Sequence, residues 1–126
     1  MEIKFYTIQE WRKNHPNDLN MTETKTKKPI LHLNLTKKWF DMIESGKKKE
    51  EYRAISIYWC RVFSANIKIK GKYYHPTDVL ICFSNGYAKD RKQMYAKIKS
   101  LHVGQGEEKW GAEKNVEYFV LRIEKI

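Results

Sequence analysis

The stretch KWFDMIESGKKKEEYRAISIYW, residues 38–59, carries the densest set of local signals in the chain. Thr36 stands just before it, where a helix N-cap is expected. An apolar face at helical spacing follows, made of Trp39, Phe40, Met42 and Ile43. Gly46 suits the left-handed position at which helices end. The stretch therefore predicts a short helix that stops at Gly46, followed by an extended segment over residues 47–55.

The sequence on either side of this stretch is organised in short extended patterns. Residues 30–35 (ILHLNL) alternate apolar and polar side chains, as a half-buried strand does. Residues 55–63 (ISIYWCRVF) hold too many bulky side chains for a loop, and they fit either a short helix or an irregular buried connection. Residues 65–74 place isoleucines between Lys68, Lys70 and Lys72, which predicts one strand with an apolar and a basic face.

The C-terminal part of the chain predicts three further strands. Residues 78–84 (DVLICFS) form a continuous apolar run, typical of a strand buried on both faces, and Asn85–Gly86 marks a turn with positive φ. In the return strand over residues 92–104 the alternation slips near Lys99 or Ser100, which predicts a β-bulge. Residues 116–126 (VEYFVLRIEKI) predict a long final strand.

Together these elements predict one α+β domain. Five or six short, mostly antiparallel strands with one or two short helices favour a small β-barrel over an open sheet. A length of 126 residues matches a single domain. Residues 1–28 become polar and lack periodicity, so we interpret them as an N-terminal arm and linker before a domain of residues 29–126. We expect the fold to survive removal of this arm.

The composition narrows the classes of partner. A formal net charge of +10 favours an anionic partner such as nucleic acid, although a solvated lysine-rich surface explains it equally well. No run approaches the ~18 apolar residues of a membrane helix, and the first residues lack the apolar region of a secretory signal. We therefore expect a cytoplasmic protein without a membrane partner. Cys60 and Cys82 are expected to be buried free thiols, and no metal or cofactor is predicted.

The segment after the predicted helix carries a charged motif. Its four positions, in the order Gly-x-Lys-x-x-Glu-x-Arg, are filled by Gly46, Lys48, Glu51 and Arg53. Together with the WF pair at 39–40, the YW pair at 58–59 and the WGA triplet at 110–112, it makes residues 29–126 similar to the phage- and Bacteroides-type branch of the ASCH family. The resemblance implies a PUA-like β-barrel that binds RNA or a nucleotide-like ligand.

The motif residues have a chemistry of their own. Glu51 and Arg53 share one face of a strand, and Lys48 stands just before it. Two cations and a carboxylate could hold a phosphate or a base edge, so we expect Lys48, Glu51 and Arg53 to line one concave site. The alternative is a structural ion pair of Glu51 with either cation. A partly exposed pair contributes about 0–1 kcal/mol, so Lys48→Ala is expected to change stability little.

Aromatic side chains between the basic residues suit stacking on unpaired bases. Tyr87 is the strongest candidate, because it follows the turn at Asn85–Gly86 and should project from the sheet. The predicted ligand-binding set is therefore Lys48, Glu51, Arg53 and Tyr87.

The resemblance also implies an alternative function. One ASCH branch is an amidohydrolase that removes the acetyl group from acetylcytidine with a lysine, a threonine and a glutamate. The lysine matches Lys48, whereas the threonine position falls on Glu51, so these two are the catalytic candidates in this chain. The third carboxylate has no motif-level counterpart, although Glu107 and Glu108 lie in the right general region. Because a carboxylate cannot replace an attacking hydroxyl, the activity requires another hydroxyl in the cleft, such as that of Ser84 or Thr36.

Overall fold

The structure, a computed structural model, describes residues 28–126, so all but one residue of the predicted N-terminal arm lies outside the described residues. Seven strands and two α-helices occur in this range. They are β1 (Ile30–Leu35), α1 (Lys37–Glu44), β2 (Glu50–Ala54), α2 (Ile57–Val62), β3 (Ile67–Ile69), β4 (Lys72–Tyr74), β5 (Leu80–Asn85), β6 (Gln93–Gln105) and β7 (Glu117–Lys125). Short 3₁₀ turns cover Pro76–Asp78 and Glu108–Trp110.

Helix α1 ends as the sequence predicts. Gly46 has a φ of +82°, and its N–H donates to the carbonyl oxygen of Ile43 at 3.0 Å. The N–H of Lys47 donates to the carbonyl oxygen of Met42 at 2.9 Å. This pair of hydrogen bonds is the Schellman arrangement, and it reverses the chain toward β2. At the other end Thr36 occupies the N-cap position, but its side chain makes no capping hydrogen bond.

Five strands form one sheet in the order β1-β5-β6-β7-β2. Strand β1 runs parallel to β5, and the other pairs are antiparallel. Strand β5 is buried on both faces from Ile81 to Ser84, as its apolar run predicts. The register of β6 shifts between Ile98 and Ser100, which confirms the predicted β-bulge. The α+β class with mostly antiparallel strands is therefore confirmed.

The prediction of a single strand over residues 65–74 is wrong. Lys70 and Gly71, with φ of +50° and +79°, form a turn between β3 and β4, which make up a separate two-stranded sheet. Lys68 stands opposite Tyr73, and Lys72 opposite Ile69, so the three lysines do not share one strand face. The Lys70–Gly71 pair is a sequence signal for this turn, because glycine readily supplies positive φ at a two-residue turn. The alternation of isoleucine and lysine conceals that signal.

The segment around residues 55–63 is a helix, which settles the alternative that the sequence leaves open. The Ser56 hydroxyl accepts a hydrogen bond from the N–H of Trp59 at 3.2 Å and caps α2. The Trp59 ring stacks on Phe63 at 5.4 Å between centroids. Cys60 lies on the exposed side of α2, so its predicted burial is wrong, whereas Cys82 in β5 is buried and both thiols are free.

The two edges of the five-stranded sheet approach each other. The apolar face of the sheet packs on Phe40 and Ile43 of α1 in the main core. Arg53 in β2 donates a hydrogen bond from Nη2 to the carbonyl oxygen of Asn34 in β1, at 3.0 Å. Backbone pairing does not close these strands into a barrel within residues 28–126, because β1 and β2 are not paired. A side chain, rather than a ladder, bridges the edges, and we call this junction the seam.

Two glycines at turns with positive φ test how much a residue with a Cβ would destabilise the fold at such positions. Gly46 and Gly111 both have positive φ, but a Cβ on Gly46 would meet no atom within 4 Å, whereas one on Gly111 would lie 2.9 Å from Cζ2 of Trp39. We expect Gly46→Ala to lower the free energy of unfolding by about 1–2 kcal/mol. Gly111→Ala should cost more, roughly 3 kcal/mol, because strain and steric overlap combine. Urea denaturation measures both, and equal losses would contradict the contact with Trp39.

Candidate functional site

Lys48, Glu51 and Arg53 form one ion cluster. Lys48 Nζ lies 3.1 Å from Glu51 Oε1, and Arg53 Nη2 lies 2.7 Å from Glu51 Oε2. The side chains of Lys48 and Glu51 are only 1% and 8% exposed. The prediction that Glu51 pairs with a cation is confirmed, and the carboxylate in fact pairs with both. The expectation that Lys48→Ala changes stability little assumed a partly exposed pair, and this premise is wrong because both side chains are buried.

The ion cluster is buried because of how β2 pairs. Glu51 stands opposite Leu121 of β7, and Arg53 stands opposite Phe119. Cross-strand partners share a face of the sheet, and these two apolar residues belong to the buried core. The carboxylate and the guanidinium therefore point into the protein. Lys48 is held beside them because its backbone N–H also donates to the carbonyl oxygen of Met42, at 3.0 Å.

The ammonium group of Lys48 is enclosed on several sides. It donates to the carbonyl oxygen of Glu50, and it lies 4.8 Å from the Tyr52 ring centroid and 5.6 Å from that of Trp39. Burial lowers the pKa of Lys48, while the Glu51 carboxylate opposes that shift. A carboxylate and two aromatic faces thus replace water around this charge.

Arg53 extends from the ion cluster toward the seam. Its Nη2 donates to both Glu51 and the Asn34 carbonyl oxygen, and its guanidinium carbon lies 5.1 Å from the Trp59 ring centroid. Its Nε is buried without a hydrogen-bond partner in the described part of the chain. One side of the guanidinium is therefore fixed, and another donor remains unused.

A cavity of about 380 Å³ opens at the seam. It lies between β1, β2, α2 and the loop of residues 86–92, and we call it the seam cavity. Its walls are formed by His32, Leu33, Asn34, Arg53, Tyr58, Trp59, Ser84, Tyr87 and Arg91.

The predicted ligand-binding residues divide between two places. Arg53 and Tyr87 line the seam cavity, and Tyr87 is 84% exposed. Lys48 and Glu51 do not line it, but lie in the ion cluster with Arg53. Lys48 instead borders a second cavity of about 340 Å³, although its side chain is almost completely buried. The three motif residues are therefore brought together, but only Arg53 faces the seam cavity.

Three residues that line the seam cavity carry buried nitrogen atoms without a hydrogen-bond partner in residues 28–126. These atoms are Nδ1 and Nε2 of His32, Nε of Arg53 and Nε of Arg91. Burial is the main cause that lowers the pKa of His32, and the charge of Arg91 contributes, which favours the neutral imidazole. A buried polar group left without a partner costs about 1–3 kcal/mol.

His32 and Arg91 are the site residues that the sequence did not single out. His32 occupies a polar position of β1, where a histidine is most simply a strand-edge residue. Arg91 belongs to a seven-residue connection between β5 and β6, and its Nη1 donates to the carbonyl oxygen of Ala88 at 3.2 Å. The direction of a side chain in such a loop depends on the path of the loop, which the sequence pattern does not reveal.

Comparisons of the chain with protein-family models, with curated proteins and with solved structures find no match. No helix in residues 28–126 is long and apolar enough to cross a membrane. In the same range, no three His, Cys, Asp or Glu side chains form a group that could hold a metal ion.

The burial of the ion cluster leads to a stability prediction. Glu51→Gln leaves the Lys48 ammonium without its counter-charge, and breaking a buried pair in this way costs about 3–5 kcal/mol. Glu44→Gln is the matched control, because Glu44 pairs with Lys92 at 2.7 Å with side chains 31% and 62% exposed. Loss of such an exposed pair costs about 0–1 kcal/mol. Chemical denaturation measures both variants.

A double variant guards against complete unfolding of Glu51→Gln. Lys48→Met together with Glu51→Gln removes the uncompensated ammonium, so it should be more stable than Glu51→Gln alone. Equal, small losses for Glu51→Gln and Glu44→Gln would show that the cluster contributes no more than an exposed pair.

Proposed function

We propose that the protein is an ASCH-type, PUA-like domain that binds an unpaired nucleotide of RNA, or a nucleotide-like ligand, in the seam cavity. The observation that carries the proposal is the meeting of two arginines and three aromatic side chains on the wall of one cavity. In this interpretation the five-stranded sheet corresponds to a barrel whose edges meet at Arg53 and Asn34. The family resemblance of residues 29–126 supports it.

The aromatic side chains of the cavity suit a nucleobase. Tyr58 and Tyr87 are 64% and 84% exposed, and Trp59 lies between the core and the cavity. A base that stacks on one aromatic face gains about 1–3 kcal/mol, largely independent of its identity. Exposed aromatic rings on two sides of a cavity therefore favour a flat, unpaired base over a duplex.

The arginines suit the polar parts of the same ligand. Arg53 and Arg91 present guanidinium groups, which bind phosphate or base-edge acceptors with two hydrogen bonds. The ion cluster holds Arg53 through Glu51, and the Asn34 carbonyl oxygen holds it through the same nitrogen. A donor fixed in advance loses less conformational entropy when the ligand binds. Lys48 and Glu51 would thus act as positioning residues.

An amidohydrolase is the second candidate function, because Ser84 lines the same cavity and could supply the missing hydroxyl. The Ser84 hydroxyl accepts a hydrogen bond from Gln93 Nε2 at 2.9 Å. Lys48, the catalytic lysine that the resemblance implies, lies in the ion cluster outside the cavity wall. The geometry therefore supports binding better than hydrolysis. Release of acetate from acetylcytidine, lost in Ser84→Ala, would favour the enzyme.

The binding proposal is tested with a labelled single-stranded RNA of about ten nucleotides. Tyr87→Ala should weaken binding roughly tenfold, because it removes one stacking face. Tyr73→Ala is the matched control, since Tyr73 is 60% exposed on β4 and does not line the seam cavity. Fluorescence anisotropy measures both affinities. Wild-type affinity in Tyr87→Ala, or an equal loss in Tyr73→Ala, would remove the cavity as the binding site.

The same titrations measure the contribution of charge. With a net charge of +10, we expect affinity to fall as salt rises, with about 0.7 counterions released per neutralised phosphate of a single strand. A flat response between 50 and 200 mM salt (roughly the range over which such contacts weaken) would show that the lysines are a solvated surface only.

A further inference from the structure

We propose that the seam cavity selects ligands that carry a phosphomonoester, so that a nucleotide with a terminal phosphate binds and the corresponding nucleoside binds poorly. This rests on the proposed function and names the chemical class of its ligand. Four observations support it: the charge balance around the cavity, the two guanidinium groups in its wall, the presence of His32 beside them and the size of the cavity.

The charge balance around the cavity is positive. In the ion cluster one carboxylate faces two cations, which leaves one net positive charge on the side of Arg53. Arg91 adds a second, and none of the ion pairs among the described residues includes it. A phosphomonoester carries close to two negative charges at neutral pH, because its second pKa is about 6. It therefore balances the cavity, whereas an internal phosphodiester supplies only one charge.

The two guanidinium groups of the cavity wall suit a tetrahedral oxyanion. Nε of Arg53 and Nε of Arg91 are both buried, and neither has a hydrogen-bond partner in the described part of the chain. A terminal phosphate offers three oxygen atoms, which can accept from two guanidinium groups at once. A neutral nucleoside would also displace water from the arginines, but without a counter-charge, and such desolvation is unfavourable.

His32 adds a ring that can either donate or accept a hydrogen bond. Both of its ring nitrogen atoms are buried without a partner in residues 28–126, beside Arg91 in the cavity wall. A neutral imidazole offers one donor and one acceptor, so it can donate to a phosphate oxygen without adding to the repulsion between the arginines. Burial is the largest cause that lowers the pKa of His32, and this direction is consistent with that neutral form.

The size of the cavity limits the ligand to about one nucleotide. A volume of about 380 Å³ lies near the lower end of small-molecule sites, which span about 300–1,000 Å³. The seam cavity holds two arginines, which suit one phosphate, and aromatic faces, which suit one base. Such a cavity fits a free mononucleotide or a phosphorylated RNA end. A continuous tract would require a longer groove.

The experiment is calorimetric titration of the full chain with defined probes. These are the common ribonucleosides, their 5′- and 3′-monophosphates, the methyl esters of those monophosphates and inorganic phosphate. We expect at least one monophosphate to bind about tenfold or more tighter than its nucleoside, since charge-assisted hydrogen bonds of this kind are roughly twice as strong as neutral ones. Its methyl ester, a phosphodiester, should bind more weakly than the monoester.

Two arginine variants locate the phosphate. Arg91→Gln should reduce the preference for the monophosphate over the nucleoside, and Arg91→Lys should restore part of it, because lysine keeps the charge but not the planar donors. Arg122→Gln is the matched control, since Arg122 lines the second cavity and its side chain is 55% exposed. An equal effect of Arg91→Gln and Arg122→Gln would contradict the assignment of the phosphate to the seam cavity.

The outcomes separate this inference from the proposed function. Equal binding of monophosphates and nucleosides would overturn phosphomonoester selection and leave nucleotide binding in place. Inorganic phosphate that binds as tightly as every monophosphate would support the phosphate site and overturn base recognition. If none of these probes binds but single-stranded RNA does, the preference for a terminal phosphate is wrong.

Discussion

The double pairing of Glu51 with Lys48 and Arg53 is the interaction on which the rest of the structure depends. A carboxylate that is 8% exposed is costly without partners, and an ammonium that is 1% exposed is costlier still. The two cations come from different places, one just after α1 and one from near the end of β2. The carboxylate therefore fixes the end of the helix to an edge strand. Arg53 then reaches across the seam to Asn34 and joins that edge to β1.

This arrangement is compatible with both a structural role and the proposed binding role of the motif. Glu51 and Lys48 are buried and paired, which is how a structural ion cluster looks. Arg53 belongs to the same cluster, yet it also forms part of the cavity wall. A guanidinium has five donors in a fixed plane, so the cluster and Asn34 can hold one nitrogen while the group still forms part of the cavity wall. The ion pair with Glu51 would therefore fix the direction in which Arg53 meets a ligand.

The sequence predicted those features whose causes are local. The end of α1 at Gly46, the doubly buried β5 and the bulge near Lys99 follow from backbone preferences and from alternation within a few residues. The sequence pattern conceals the turn at Lys70–Gly71, because the lysine–isoleucine alternation continues up to Lys70. Tyr87 was identified as a candidate because Gly86, with a φ of +75°, marks the turn that exposes it.

The features that the sequence could not predict depend on contacts between distant segments. The burial of Lys48 and Glu51 follows from the pairing of β2 with β7, about 70 residues further along the chain, and from the rings of Trp39 and Tyr52 around the ammonium. His32 and Arg91 meet only because β1 lies parallel to β5 and the loop after β5 returns over that pair. Barrel closure is set in the same way, by how far a sheet curls. Here Arg53 Nη2 lies 3.0 Å from the carbonyl oxygen of Asn34 although no ladder forms between their strands, and the seam cavity opens at this unpaired junction.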